Sequence, residues 1–195
     1  MEAVDFGAGI GRFPRMLRER GVSVLCIEPD PAQCARIREA GMTAFAGLDA
    51  LPDGSLCYVY SLNVLEHIED DESALRLIAT KLASEGRLLL CGPAFQLLFS
   101  SMDRKVGHFR RYRRQQLIGL ARRAGLKVVV ARYADSLGFL ATLVYKMAGV
   151  RYRLHRSAIQ RHVRPVHFSV EALLRRRVRA FAREERLSGG RQITC

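Results

Sequence analysis

The sequence lacks the spacings that would mark a thiol framework. Its five cysteines, Cys26, Cys34, Cys57, Cys91 and Cys195, form no C-x-x-C pair. Cys26, Cys57 and Cys91 sit in apolar strand-like runs and read as reduced core residues, so no metal is expected. No stretch reaches the ~18 uninterrupted apolar residues of a membrane span. The nearest, Leu137 to Val150, is short and interrupted by Lys146, which suits a buried or interfacial helix. No secretory leader is visible, because Met1 leads almost at once into a strand-like segment. Internal repeats and low-complexity linkers are missing too. These absences predict a cytoplasmic protein without a membrane span. What remains is ordinary for a globular chain: 195 residues, 49% hydrophobic and 26% charged, enough for one domain with a real core.

Charge is unevenly spread. The net charge is +13, and residues 151–195 hold twelve Arg, no Lys and three Glu, or +9. The first 150 residues, with twenty basic and sixteen acidic residues, carry only +4. A basic tail of this kind can serve as a nucleic-acid or anionic-surface arm. A nucleic-acid-binding or RNA-modifying protein would need aromatics among its basic residues, and the tail offers only Tyr152, Phe168 and Phe181.

The first 130 residues alternate between two hydrophobic periods. Strands are predicted at Ala3–Phe6, Val22–Ile27, Thr43–Ala46, Leu56–Leu62, Arg87–Cys91 and Lys127–Arg132. Helices are predicted at Arg12–Arg20, Pro31–Ala40, Asp71–Ala83 and Arg114–Ala124. Gly21, Gly41 and Gly125 follow three of the helices as stops, and Asp30 with Pro31 gives a cap and a first helical residue. The alternation implies βαβ units: an α/β fold with a mostly parallel sheet and helices on both faces.

Gly7, Gly9 and Gly11 lie between the first strand and the first helix, where glycine permits a tight turn and close backbone approach to a ligand. Asp5 precedes them within an apolar strand, where an acid needs a polar partner or a ligand. Glu28 ends the second strand, about twenty residues on, where nucleotide-binding units place a carboxylate for ribose hydroxyls. Alone it reads equally as a solvated acid at a strand end. A nicotinamide-dependent oxidoreductase is the competing reading. Its G-x-G-x-x-G fingerprint would need a small residue where this chain has Arg12.

Val4-Asp5-Phe6-Gly7-Ala8-Gly9-Ile10-Gly11 resembles motif I of class I S-adenosylmethionine-dependent methyltransferases, and the resemblance extends over roughly residues 3–150. It implies a Rossmann-like fold, S-adenosylmethionine as cofactor, and a loop of Asp5, Gly7, Ala8, Gly9 and Gly11 along its amino-acid part. Ser61-Leu62-Asn63-Val64-Leu65-Glu66-His67-Ile68 is similar to the segment after the fourth strand in that group, which implies Leu62 and Asn63 beside the methionine portion. Glu66 and His67 also read as a helix N-terminus, with Glu66 favourable to the dipole. By the same resemblance Asp49 lies near the adenine amine, although an ordinary loop acid fits as well.

Gly107-His108-Phe109-Arg110-Arg111-Tyr112 resembles an element carried by a subset of these enzymes. His108 is the candidate base, and Arg110, Arg111 and Tyr112 are candidate substrate residues, the arginines for an anionic group. The alternative is a structural loop with solvated arginines. The expected reaction is in-line methyl transfer to a small-molecule oxygen, nitrogen or carbon, with no specific nucleic acid as partner.

The resemblance also implies a helical segment before the first strand and a last antiparallel strand after the sixth. The first is not written in this sequence, so its start reads as misassigned or as that of a fragment, with weakened cofactor affinity. The second is expected to be missing. Back-translated one base later, His162 to Ser169 permits a Tyr-Asp-Arg segment ending in Pro, and Ala182 to Leu187 permits Gly-Lys-Asn-Val. Residues 151–195 are therefore expected to form an Arg-rich tail that is frameshifted or disordered, set apart from the domain over 1–150.

Overall fold

In the computed structural model, residues 2–133 and Leu143 are described. The frameshift reading of the 151–195 tail lies outside them, as does the helix reading of Leu137 to Val150 apart from Leu143.

Among the described residues, five strands form the sheet: β1 (Glu2–Phe6), β2 (Ser23–Ile27), β3 (Ala44–Phe45), β4 (Leu56–Leu62) and β5 (Leu82–Cys91), in the order β3-β2-β1-β4-β5. Every pairing is parallel, with Asp5 opposite Cys26 on one side and Tyr60 on the other. The helices are α1 (Arg12–Arg18), α2 (Pro31–Glu39), α3 (Asp71–Lys81), α4 (Ser101–Lys105) and α5 (Arg114–Arg123). The chain winds from β1 towards β3 on one side and resumes at β4 on the other. The switch point, where α/β sheets bind ligands, therefore falls between β1 and β4.

Strand side chains alternate between two cores. Val4, Ile27 and Val59 face one side with Leu75 and Ile78 of α3 and Leu120 of α5. Ala3, Tyr58, Tyr60 and Leu62 face the other with Leu17 of α1, and Cys26 lies against Cys34 and Ile37 of α2. Helices thus cover both faces, and the fold is the expected Rossmann-like α/β class. The predicted cap of α2 is present: Asp30 accepts from the Gln33 amide at 2.9 Å, with Pro31 as first helical residue.

Three details differ from the sequence reading. Lys127–Arg132 is not a strand, because none of its backbone joins the sheet. Its apolar pattern needs a neighbouring strand to become a ladder, and among the described residues nothing pairs with the outer edge of β5. The fifth strand begins earlier than Arg87. Leu82 pairs with Leu56, then the register shifts, and Arg87–Cys91 pairs with Tyr58–Leu62. Gly86 sits where that shift brings the Leu56 carbonyl so close that a Cβ would approach it to 2.6 Å. Finally, Cys26, Cys34 and Cys91 are free thiols, but Cys57 is disulfide-bonded, so the reduced reading does not hold for it. Among the described residues no helix is long and apolar enough to cross a membrane.

Candidate active site

The glycine loop leaves β1 at the switch point. Its first two amides, of Gly7 and Ala8, both donate to the Ile27 carbonyl, at 2.9 and 3.0 Å, which ties the loop to the end of β2. Gly7 has φ +85°, and a Cβ there would lie 2.6 Å from Cγ1 of Val64 and closer to Cγ2. Only glycine allows that backbone angle and that contact together. Gly9 also lies in the left-handed region, and Gly11, left-handed as well, precedes α1.

Glu28 holds this loop from beneath. Its Oε2 accepts from the Gly9 amide at 2.7 Å and its Oε1 from the Asp30 amide at 2.9 Å. One carboxylate thus bridges the glycine turn and the entrance of α2, and it is buried. Asn63, at the end of β4, has φ 56°, and its amide donates to the Cys91 carbonyl at 2.8 Å. A left-handed asparagine turns the chain sharply there and sends Val64 towards Gly7. Leu62 is buried beneath it, while Asp49 is exposed on a single 3-10 turn, Leu48–Ala50.

Asp5 is 2% exposed, and its Oδ2 has no hydrogen-bond partner; the Tyr60 and Ser61 hydroxyls are buried and unpartnered as well. Burial pushes the Asp5 carboxyl up to about 8, the Tyr60 hydroxyl beside it acting in the opposite direction and the Glu28 charge adding to the rise. A buried acid with one oxygen unpartnered is a group that would take a further polar or cationic partner.

A second group of side chains gathers after β4 and in the loop before α5. Asp103, 1% exposed, is its hub. Ser100 caps α4, and the Ser100 amide donates to Asp103 Oδ2 at 2.9 Å, a capping box. The same carboxylate meets His108 Nδ1 at 2.9 Å and accepts from Arg111 Nε at 2.7 Å and Nη2 at 3.1 Å. Burial alone would raise its pKa, but the hydrogen bonds from His108 and Arg111 outweigh it and hold the carboxyl well below the usual range.

With Nδ1 engaged, the Nε2 of His108 faces Glu66, 3.9 Å from Oε1. Glu66 is 0% exposed, and burial pushes its carboxyl up to about 7 against the lowering influence of its own amide, His108 and Arg111. His67 lies against His108 edge to face, ring centroids 4.6 Å apart at 80°. Burial, then the neighbouring His108, lowers the His67 pKa and favours its neutral form.

The remaining residues of the Gly107–Tyr112 element act as a clamp. Arg110 pairs with Asp71 at 2.8 Å and donates to the Glu69 carbonyl at 2.6 Å. The buried Tyr112 hydroxyl donates to Asp71 Oδ2 at 2.8 Å, and burial followed by that carboxylate raises its pKa. Arg110, Arg111 and Tyr112 thus meet internal carboxylates. The structure brings together Asp5, the glycine loop, Glu28 and Asn63, and separately His108 with Glu66 and His67.

Asp103 and the burial of Glu66 are missing from the sequence reading. The Ser100-x-x-Asp103 spacing marks the first. Nothing local marks the second, because Glu66 lies on a 3-10 turn, Leu65–His67, rather than at a helix start.

The sequence pattern of the methyltransferase domain family matches residues 1–131. Similar folds occur in an S-adenosylmethionine-dependent methyltransferase of Mesorhizobium loti, at 20% identity and TM-score 0.58, covering 74% of this chain and 83% of that one. A Haloferax volcanii protein solved in complex with the methyltransferase activator Trm112 is 22% identical, with TM-score 0.58 and coverage of 66%. This chain spans 62% of that protein's length. A phosphoethanolamine N-methyltransferase of Haemonchus contortus, in complex with phosphomonomethylethanolamine and S-adenosylhomocysteine, is 20% identical, with TM-score 0.52 and coverage of 64% and 33%. No curated protein matches. The family pattern covers well over half of the chain, which therefore belongs to the methyltransferase domain family.

Proposed function

We propose that the chain methylates a small-molecule acceptor whose reacting atom carries a proton, and that His108 takes this proton at Nε2. The observation that carries the reading is the Asp103–His108 pair: an imidazole fixed at Nδ1 by a carboxylate, 2.9 Å away, in the segment that packs on the end of β4. A base so oriented has its tautomer and ring direction set in advance. Asp103 is its positioning residue.

The residues present fit the cofactor. When bound, S-adenosylmethionine supplies a methyl group already activated by its sulfonium, so alignment accounts for much of the acceleration. The unpartnered Asp5 Oδ2 would be satisfied by a cationic group. Gly7, Ala8, Gly9 and Gly11 would line its amino-acid part. Glu28 keeps a lone pair on each oxygen for ribose hydroxyls while its amide bonds hold Gly9. Leu62 and Asn63 would border the methionine portion, and the exposed Asp49 would take the adenine amine.

A small acceptor suits the modest +4 of the first 150 residues. With Arg110 and Arg111 both paired to internal carboxylates, their role is to hold the element that presents His108. The test is His108→Ala, assayed against a panel of hydroxyl, amine and carbon-acid acceptors. Activity should fall about 10²–10⁴-fold with cofactor affinity unchanged. Full activity on the preferred acceptor would overturn the assignment.

A further inference from the structure

Glu66 poses a problem that methyl transfer does not answer. Its carboxyl is fully buried, and neither oxygen has a hydrogen-bond partner from another residue. A buried carboxylate without partners is strongly unfavourable, and a native fold keeps one only where something satisfies it. Its neighbours are imidazoles: one ligand atom each from Glu66, His67 and His108 lie within 4.8 Å of one another.

Proton sharing is a poor answer to that arrangement. The Glu66 Oε1–His108 Nε2 separation of 3.9 Å is too long for a hydrogen bond, and the two rings meet edge to face. The spacing suits a third body between them. Two ligands of one tetrahedral cation, each at about 2.1 Å, lie about 3.4 Å apart. The Glu66–His108 pair is about half an ångström wider than that, and no spacing in the group exceeds 4.8 Å. Side-chain rotation closes these spacings on loading, most readily at His67, which is exposed.

We propose that Glu66, His67 and His108 bind a divalent first-row transition cation, of the class of Mn²⁺, Co²⁺ or Zn²⁺. One carboxylate and two imidazoles suit these ions better than Mg²⁺ or Ca²⁺, which favour all-oxygen sites. Asp103 completes the design from outside. Metal-bound histidines commonly hold their second nitrogen to a carboxylate, which leaves the other lone pair outward, and His108 Nδ1 meets Asp103 in this way. Three protein ligands leave open positions on the exposed side. The cysteine spacings could not reveal such a site, because it contains no thiol.

The cation site stands on geometry alone. A cation on the Nε2 lone pair of His108 would remove the proton acceptor that the proposed methyl transfer uses, so on that reading the loaded chain is the inactive state.

The experiment uses the full chain, stripped with chelator and free of S-adenosylmethionine. Mn²⁺ binding is followed by calorimetry and electron paramagnetic resonance, and Co²⁺ binding by visible absorption. One ion per chain is expected, at least tenfold weaker in Glu66→Gln and in His67→Ala, and about 10–100-fold weaker in Asp103→Asn. The Co²⁺ spectrum should lack a thiolate charge-transfer band. Equal affinity in wild type and variants, no binding at all, or a thiolate band overturns the site. His67 is exposed, so its variant carries the test should Glu66→Gln fail to fold. Calorimetry with S-adenosylmethionine on the stripped chain separates the two readings: no binding there defeats the proposed function and leaves the cation result standing. Undiminished methyl transfer by the loaded chain, with the ion bound, defeats this inhibitory use of the ion.

Discussion

His108 Nδ1 and Asp103 Oδ1 lie 2.9 Å apart, and the same carboxylate receives two nitrogens of Arg111. One buried acid therefore neutralises a guanidinium, orients an imidazole and caps a helix.

Asp103→Asn tests how much depends on it. Breaking a buried charge pair leaves the Arg111 charge uncompensated, and the expected loss is about 3–5 kcal/mol, read by denaturant unfolding. The pH dependence has a definite sign. The folded Asp103 pKa lies below its ordinary value of 3.8, so its contribution is complete above that pH and is lost as the solution is acidified through the folded value. The wild type should lose stability below about pH 4 more steeply than Asp103→Asn does.

Asp5 has the opposite sign. Its folded carboxyl titrates at about 8 against 3.8 ordinarily. The cofactor-free protein therefore holds a proton that the unfolded chain lacks, and it loses stability as pH rises across that window. A cationic ligand reverses the preference. S-adenosylmethionine should bind more tightly as pH rises towards 8 and release a proton, seen as a buffer-dependent calorimetric enthalpy. Asp5→Asn should abolish both effects.

Glu28→Gln isolates the bridge beneath the loop. Its two oxygens each accept a backbone amide, from Gly9 and from Asp30. An amide side chain can replace only one of them, and its NH₂ then opposes the other donor. Losing one charge-assisted bond should cost about 1.5–3 kcal/mol of fold stability, read by denaturant unfolding, and losing the carboxylate's ribose contact should weaken S-adenosylmethionine about 10–100-fold, measured as Kd.

Gly7→Ala should be more damaging than its size suggests. The new methyl meets both γ-carbons of Val64, and φ is +85°. Unfolding should show a loss of about 2 kcal/mol or more. Adding Val64→Ala should restore the steric part and leave the about 1–2 kcal/mol backbone part. Full recovery would mean that the backbone angle is unimportant.

Much of the first half was legible because its signals are local. The Gly7–Gly11 spacing, the Asp30–Pro31 cap and the apolar run of β2 each lie within a few residues, and each describes its own backbone. The failures involve partners distant in the chain. Lys127–Arg132 has a strand's alternation but no ladder to join, and a pattern of faces says nothing about whether a neighbour exists. Glu66 sits in a sequence that suits a helix start, yet its burial comes from the Gly92 turn and from a segment some forty residues on, where the Phe109 amide donates to its carbonyl. Arg110 and Arg111 looked like free cations because their carboxylates, Asp71 and Asp103, lie outside the motif.

Gly7 and Val64 touch across the line where the sheet changes direction, and no side chain stands between them. Val64 is therefore the side chain that limits how closely the glycine turn approaches the end of β4. Enlarging or trimming Val64 should change that spacing, and with it the affinity for S-adenosylmethionine. The change can be made without altering Asp5, Glu28 or any amide of the loop itself.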